Sequence, residues 1–324
     1  CIEAQRRTST LAIQYATERV QFKTPIAEFG AIQYKLANMA METYASESAS
    51  YRAAFDIEEK INELLEQGVS HQEAELKGVE EFAIECSILK VSVSEKAQKC
   101  TDEGIQIFGG MGFSADAPME MAWRDSRIAR IYEGTNEINR MLSIGMLLKK
   151  AFKGDIDLMT PATAVGQELM TGIPKAEISN KLFAEEKYLI ENMKKVLLMI
   201  TGAAVQKFGP KFEKEQQIIL ALSDILIEIY MAESTILRTE KNCDRFGADS
   251  RKNQIEMSQL YLFNAIENIN RSGKEAIVSF AEGVHLKGML SGMKQYSKYT
   301  NYPNIVGLRR SIASTLIEEN KYPF

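Results

Sequence analysis

Apolar side chains spaced three and four residues apart restrict what this chain can fold into. One set is Leu189, Met193, Val196, Leu197, Ile200 and Ala204; a second is Ile218, Leu222, Ile225 and Ile229. Steps of three and four place each set along one face of an α-helix, whereas a half-buried strand would alternate with period two. The chain has only seven prolines in 324 residues and few alternating stretches, so the helical reading extends to the whole sequence. The expected fold is all-α: helices packed antiparallel in bundles, with Gly209-Pro210 breaking the two stripes apart.

The same reasoning divides the chain. A first helix runs to about Val20, followed by a loop over 21–30 that contains Pro25. A second starts near Ala31 with Ile32, Leu36, Met39 and Thr43 on one face. The polar stretch 60–78 contains Gly68 and predicts a turn before a third long helix, which ends at the glycine-rich run 108–113. Residues 117–132 read as a further helix after Pro118. Thr135 then suits the N-cap of the next, with Ile138, Met141, Leu142 and Met146 expected on its inner face. Gly154, Pro161, Gly166, Gly172 and Pro174 interrupt any period, so 154–180 reads as a linker between a domain at 1–153 and a second helical domain at 181–324. The chain opens on Cys1, already in a helical pattern with no capping residue ahead of it, which suggests a fragment of a longer protein.

Charge narrows the function. With 39 basic and 44 acidic side chains the net charge is −5, which argues against a nucleic-acid partner. Cys1, Cys86, Cys100 and Cys243 are scattered and read as free thiols of a reducing compartment. His71 and His285 lie far apart, so the ligand spacing of a zinc or iron site is missing. No apolar run reaches the ~18 residues that a membrane span needs.

The segment richest in chemistry is QIFGGMGFSADAPMEMAWRDSRIARIYEGTNEINR, residues 106–140. Gly109, Gly110 and Gly112 allow either a plain tight turn or close approach of a ligand, whose phosphate oxygens backbone N–H groups could face. Glu133 stands between Tyr132 and Gly134, directly before a helix start. It reads either as a carboxylate favouring the helix dipole, worth roughly 0.3–1 kcal/mol, or as a general base with Gly134 leaving room for substrate.

Three runs, QIFGGMGF at 106–113, RDSRI at 124–128 and YEGTNEI at 132–138, resemble the C-terminal signature of the acyl-CoA dehydrogenases, in that family's order and close spacing. Upstream, ERVQF at 18–22, Pro25-Ile26 and Ile32-Gln33 with Leu36 resemble the family's preceding helix and loop. The likeness covers about 1–150. Where many members carry a glutamine this chain has Gly30, and the run FGAIQ at 29–33 looks more like the very-long-chain branch, which carries an additional helical domain.

The resemblance implies roles residue by residue. Glu133 would be the base that takes the α-proton of a long-chain fatty acyl-CoA, with FAD as hydride acceptor, and Gly134 would lie against the thioester. Arg19 would bond the FAD pyrophosphate of a neighbouring subunit in a homodimer, flanked by Gln21 and Phe22, with Gln106, Gly109 and Gly110 approaching the adenosine end. A guanidinium fork suits phosphate, although Arg19 taken alone also reads as a surface salt bridge. Thr135 and Glu137 would contact the subunit's own FAD; Glu137 replaces a glutamine of some relatives. Arg124 and Asp125 read as an ion pair supporting the base loop, and Trp123 as core. The first two domains of the family are missing from this sequence, so the fragment is expected to bind FAD weakly or not at all. The resemblance also implies an electron-transfer flavoprotein as partner and a cytoplasmic or mitochondrial-matrix location. Two other readings stay open: an acyl-CoA oxidase, and a non-catalytic helical module for dimerisation or membrane docking. The latter is motivated by the basic and aromatic mix of Tyr296, Lys298, Tyr299 and Arg309.

Overall fold

The computed structural model describes residues 1–174 and 177–324. Among them are thirteen α-helices and a single two-stranded ribbon, so the all-α expectation holds. Helix α1 (Ile2–Glu18) leads into a ribbon of β1 (Val20–Gln21) and β2 (Thr24–Pro25), then α2 (Gly30–Glu66). After it come α3 (His71–Glu81), α4 (Ala83–Phe108), α5 (Gly110–Phe113), α6 (Pro118–Ile128) and α7 (Asn136–Lys153). The remainder is α8 (Met159–Thr171), α9 (Ala184–Phe208), α10 (Gln216–Phe246), α11 (Lys252–Phe280), α12 (Gly283–Tyr296) and α13 (Ile305–Glu319).

Both apolar stripes become core. Every residue of the 189–204 set lies buried on α9 and every one of the 218–229 set on α10. Between them Gly209 and Pro210 open a short 3-10 turn. On α2, Leu36, Met39 and Thr43 are buried as expected. The third long helix is broken in two at Phe82, and the loop expected over 21–30 contains a hairpin. Its turn residues Phe22 and Lys23 both have positive φ, 51° and 66°, as a tight two-residue hairpin turn requires.

The stretch 154–180, expected as a linker, contains α8. Asp157 caps it, its Oδ1 accepting from the N–H groups of Met159 (3.1 Å) and Thr160 (3.0 Å). Pro161 sits in the first turn, where no intrahelical donor is lost. Buried Val165 and partly buried Leu169 face the core, and Lys195 of α9 bonds Glu168 at 2.9 Å, so α8 gets its stability from packing rather than from its own periodicity. Residues 175 and 176 of this stretch lie outside the described residues.

The helices on either side of 154–180 share one core. Tyr44 of α2 is buried, and its hydroxyl pairs with Thr239 Oγ1 of α10 at 3.0 Å, which pairs in turn with Ser258 of α11 at 2.8 Å. Glu47 of α2 is 0% exposed and accepts from Arg6 of α1 (2.5 Å) and Arg238 of α10 (2.9 Å). Arg238 also lies 4.3 Å from the centre of the Tyr44 ring. A carboxylate this deep is stable only because two guanidiniums replace its water.

A second buried carboxylate controls acid stability. Burial would push the Glu42 carboxyl up, but Lys96 and Lys99, 3.1 and 2.9 Å away, bring it down to about 2, below the ordinary 4.5. A carboxyl whose folded pKa is depressed stabilises the fold above its unfolded pKa, and that contribution fades as pH falls from 4.5 towards 2. Glu42→Gln should therefore cost about 3 kcal/mol at pH 7, with the gap to wild type closing in acid; urea unfolding at pH 7 and pH 3 measures this, and a gap independent of pH would contradict it. At Gly112 an added Cβ would stand 2.6 Å from the carbonyl oxygen of Ile105 and 2.8 Å from Phe108 Cβ. Neither neighbour is the flexible end of a side chain, so Gly112→Ala should cost about 2 kcal/mol. A thermal midpoint equal to wild type would show that the turn relaxes more easily than its geometry indicates.

Candidate active site

The loop between α6 and α7 carries Glu133 at its apex. Its start is tied by Ile131 N–H and Tyr132 N–H donating to Ile128 O, at 2.9 and 3.2 Å. The N–H of Asn136 closes it by donating to Arg130 O at 3.1 Å. Between these ties Glu133 has φ 55° and Gly134 φ 81°. Two successive residues in the left-handed region reverse the chain sharply; glycine adopts it freely, whereas for glutamate it costs of order 1 kcal/mol. The Glu133 side chain is exposed on this apex. Thr135 is the N-cap of α7 as expected, its Oγ1 accepting from Ile138 N–H at 3.4 Å. Glu137 lies in the first turn, where bonds from its own backbone N–H and the Thr135 hydroxyl hold its carboxyl below the ordinary value.

The inner face of α7 is polar, which corrects the expectation for Ile138 and Leu142: they are 50% and 47% exposed, while Asn136, Asn139, Ser143 and Ile144 are buried. The physical reason is what α7 packs against. Asn136 Oδ1 accepts from Lys90 Nζ (2.8 Å), and its Nδ2 donates to Ser94 (3.0 Å) and Glu95 (3.1 Å), all on α4. Arg140 donates two parallel bonds to Glu95 (2.7 and 2.8 Å) and one to Asp224 of α10 (2.7 Å). Partial burial lowers the pKa of Lys90, opposed by the nearby carboxylates of Glu137, Glu133 and Glu95. Asn139 Nδ2 reaches back to the carbonyls of Gly134 (3.0 Å) and Thr135 (3.1 Å). None of Lys90, Asn136, Asn139 and Arg140 was singled out from the sequence. The signal available was the spacing of polar residues in NEINR, where 136, 139 and 140 share one helical face.

The cofactor residues expected from the resemblance fall in two groups. Arg19, Gln21 and Phe22 lie on the hairpin, beside the end of α4 that carries Gln106, Gly109 and Gly110; the rings of Tyr15 and Phe108 stack there at 4.1 Å. Thr135 and Glu137 lie with Glu133 and Gly134 at the start of α7, against the middle of α4. From Ser94 to Gln106 is about 18 Å along a helix. Arg19 is exposed and, among the described residues, no carboxylate pairs with it, so the salt-bridge alternative is not what the fold uses. Gly109 needs its left-handed φ of 63°, but Gly110 has ordinary helical backbone with nothing within 4 Å of where a Cβ would stand. Nothing within the chain requires glycine at that position; open ground is what an approaching ligand needs.

Three other expectations change. Arg124 pairs with Glu120 one turn earlier rather than with Asp125, and it is Arg130, bonded to Gln98 at 2.7 Å, that ties the Glu133 loop to α4. Trp123 is half-buried, not core, and its indole N–H donates to Asp102 at 3.2 Å. Of the residues that suggested membrane docking, Tyr296 and Tyr299 are buried and Arg309 lies 4.6 Å over the Tyr34 ring. Among the described residues no helix is long and apolar enough to cross a membrane. A cavity of about 620 Å³ lies between 178–186 and 299–308, away from every one of the expected site residues. It plays no part in the chemistry argued from Glu133.

Two family models, both described as acyl-CoA dehydrogenase C-terminal domain, match residues 1–147 and 192–295. A probable acyl-CoA dehydrogenase of Bacillus subtilis is 37% identical over 99% of this chain and 54% of its own length. The very long-chain specific acyl-CoA dehydrogenase of mouse mitochondria is 30% identical over 71% of this chain and 35% of its own. The crystal structure of an acyl-CoA dehydrogenase complexed with FAD from Bacillus anthracis superposes with a TM-score of 0.94 at 38% identity, over 100% of this chain and 54% of that one. This chain thus spans about half the length of those Bacillus relatives. With its whole length covered in that match, the chain belongs to the acyl-CoA dehydrogenase family and corresponds to its C-terminal helical part.

Proposed function

We propose that this chain forms the helical part of an FAD-dependent enzyme that oxidises long-chain fatty acyl-CoA to trans-2-enoyl-CoA, with Glu133 as the base. The observation that carries the reading is the exposed carboxylate of Glu133 on a tightly tied, left-handed apex, followed by a glycine, in a chain of this family. The α-C–H of a thioester is acidified by the adjacent carbonyl, and a carboxylate within reach can remove that proton. Substrate closing over the loop would take water from Glu133, leaving the bare carboxylate against the acidified C–H. Gly134 is proposed to lie against the thioester with no side chain of its own in the way; the position a Cβ would take is already bounded by Asn139 Nδ2 at 3.1 Å. Bound FAD supplies the acceptor for the β-hydrogen. The hairpin group of Arg19, Gln21 and Phe22, with Gln106, Gly109 and Gly110, serves the FAD of a partner subunit in a homodimer, while Thr135 and Glu137 face the chain's own.

Similarity to the mouse very long-chain enzyme, which extends over 71% of this chain, supports the long-chain branch. Electron-transfer flavoprotein is the proposed acceptor. In an oxidase the same base would serve while oxygen took the electrons, so turnover under air without the flavoprotein separates the two. Glu133, Ile131 and Tyr132 are all exposed in this segment, which by itself is proposed to hold no stoichiometric FAD. In the flavin-loaded full-length enzyme, anaerobic palmitoyl-CoA should bleach the flavin, and Glu133→Gln should keep its FAD but bleach about 10³-fold more slowly. Equal bleaching by both would place the base elsewhere.

A further inference from the structure

We propose that Asn139 is a positioning residue whose side-chain amide clamps the base loop, fixing the peptide that follows Glu133-Gly134 by holding the carbonyls of Gly134 and Thr135. This rests on the reading of Glu133 as the base. The amide is buried, and both its partners are carbonyl oxygens, at 3.0 and 3.1 Å. Only an NH₂ group can donate to them, and its two hydrogens match two acceptors, so the orientation of the amide is set by its surroundings.

The helix does not need this clamp for its own start. Thr135 already caps α7, and Thr135 O already accepts the ordinary helical bond from Asn139 N–H at 3.0 Å. What the side chain adds is the bond that leaves the helix and reaches Gly134 O, to which no backbone N–H among the described residues donates. The amide also closes the space beside Gly134: a Cβ there would lie 3.1 Å from Asn139 Nδ2. Its hold on the loop is reinforced from behind. Asn136, one helical turn earlier on the same face, is itself fixed by Lys90, Ser94 and Glu95. Holding two left-handed residues against their tendency to relax is what keeps a carboxylate aimed while substrate enters. A small loss of aim costs rate far more than affinity.

The test uses the full-length, FAD-loaded enzyme with Asn139→Ala, which removes both donors, and Asn139→Gln, which retains an amide. Rapid-reaction flavin reduction by palmitoyl-CoA should slow at least about tenfold in Asn139→Ala, with KM within about twofold and FAD content unchanged. Asn139→Gln should recover a substantial part of the rate. Hydrogen exchange over 132–136 should quicken about tenfold in Asn139→Ala while the body of α7 stays protected. Reduction within twofold of wild type, or a rate lost only in proportion to lost FAD, would overturn the proposal. If Glu133→Gln reduced flavin as fast as wild type, the base assignment would fall. The exchange comparison would then decide the clamp alone: unchanged exchange at the loop in Asn139→Ala would end it.

Discussion

Arg140 is the joint on which the rest of this structure hangs. Standing on α7, it holds Glu95 of α4 with two parallel bonds and Asp224 of α10 with a third, so three helices meet at one guanidinium. The two acids respond differently. Glu95 is desolvated, yet bonds from Arg140 and Asn136 hold its carboxyl below the ordinary value; at Asp224 burial outweighs Arg140 and the carboxyl moves up. Glu95 takes two parallel bonds from the guanidinium, and Asp224, on α10, takes one. Such a pair adds little net stability compared with apolar packing, but removing one member leaves an uncompensated buried charge at a cost of about 3–5 kcal/mol. Its value here is register. With Arg140 fixed on Glu95, Asn136 one turn earlier meets Ser94 and Lys90, and the base loop must leave α7 at a set height on α4.

The same logic joins the two halves of the chain. Glu47 is buried between Arg6 and Arg238, and Tyr44, Thr239 and Ser258 form a hydroxyl relay from α2 to α11. Ser143 of α7 meets Ser223 of α10 at 2.9 Å in the same manner. These contacts are polar, directional and buried, so they select one docking of the second bundle where an apolar seam would accept several. The C-terminal tail then returns to α1, where Tyr322 N–H donates to Thr10 at 3.3 Å. Residues at the far end of the sequence thereby brace the helix that leads into the hairpin of Arg19.

Sequence periodicity revealed the parts of the fold that burial alone decides. The stripes of α9 and α10, the face of α2 and the Thr135 cap were legible because a helix with one apolar side, or a hydroxyl at its start, leaves a local mark. Helix α8 was hidden because its core contact is small, chiefly Val165 and Leu169, and two glycines and two prolines in and around it read as loop; the Asp157 cap was the mark to find. The α7 face was misread for the opposite reason. An inward-facing set of Asn136, Asn139, Arg140 and Ser143 looks like a solvated side until Glu95, Ser94 and Ser223 are known to lie opposite. The reading of Glu133 as a base came from family likeness, since its physics alone permitted a plain helix-dipole carboxylate.

Backbone strain separates structure from function more sharply than burial does. Among the described residues five non-glycine positions have positive φ: Phe22, Lys23, Glu133, Phe183 and Asn320. Two are held by packing or a helix cap. Phe183 is 2% exposed, its ring in the core at the start of α9, and Asn320 ends α13 in the left-handed cap that asparagine tolerates well. The other three are exposed and draw little from packing; Phe22 is 90% exposed, with one edge contact to Phe29 at 6.3 Å. An exposed phenylalanine and lysine at a two-residue turn, where glycine or asparagine would relieve the strain, bring the chain no visible stability. Neither does a glutamate before Gly134. The hairpin turn requires that backbone but not those residue types, and strain of this kind clusters where a segment serves function. The hairpin presents Arg19 and Gln21, and the α6–α7 loop presents Glu133, all three exposed on the surface.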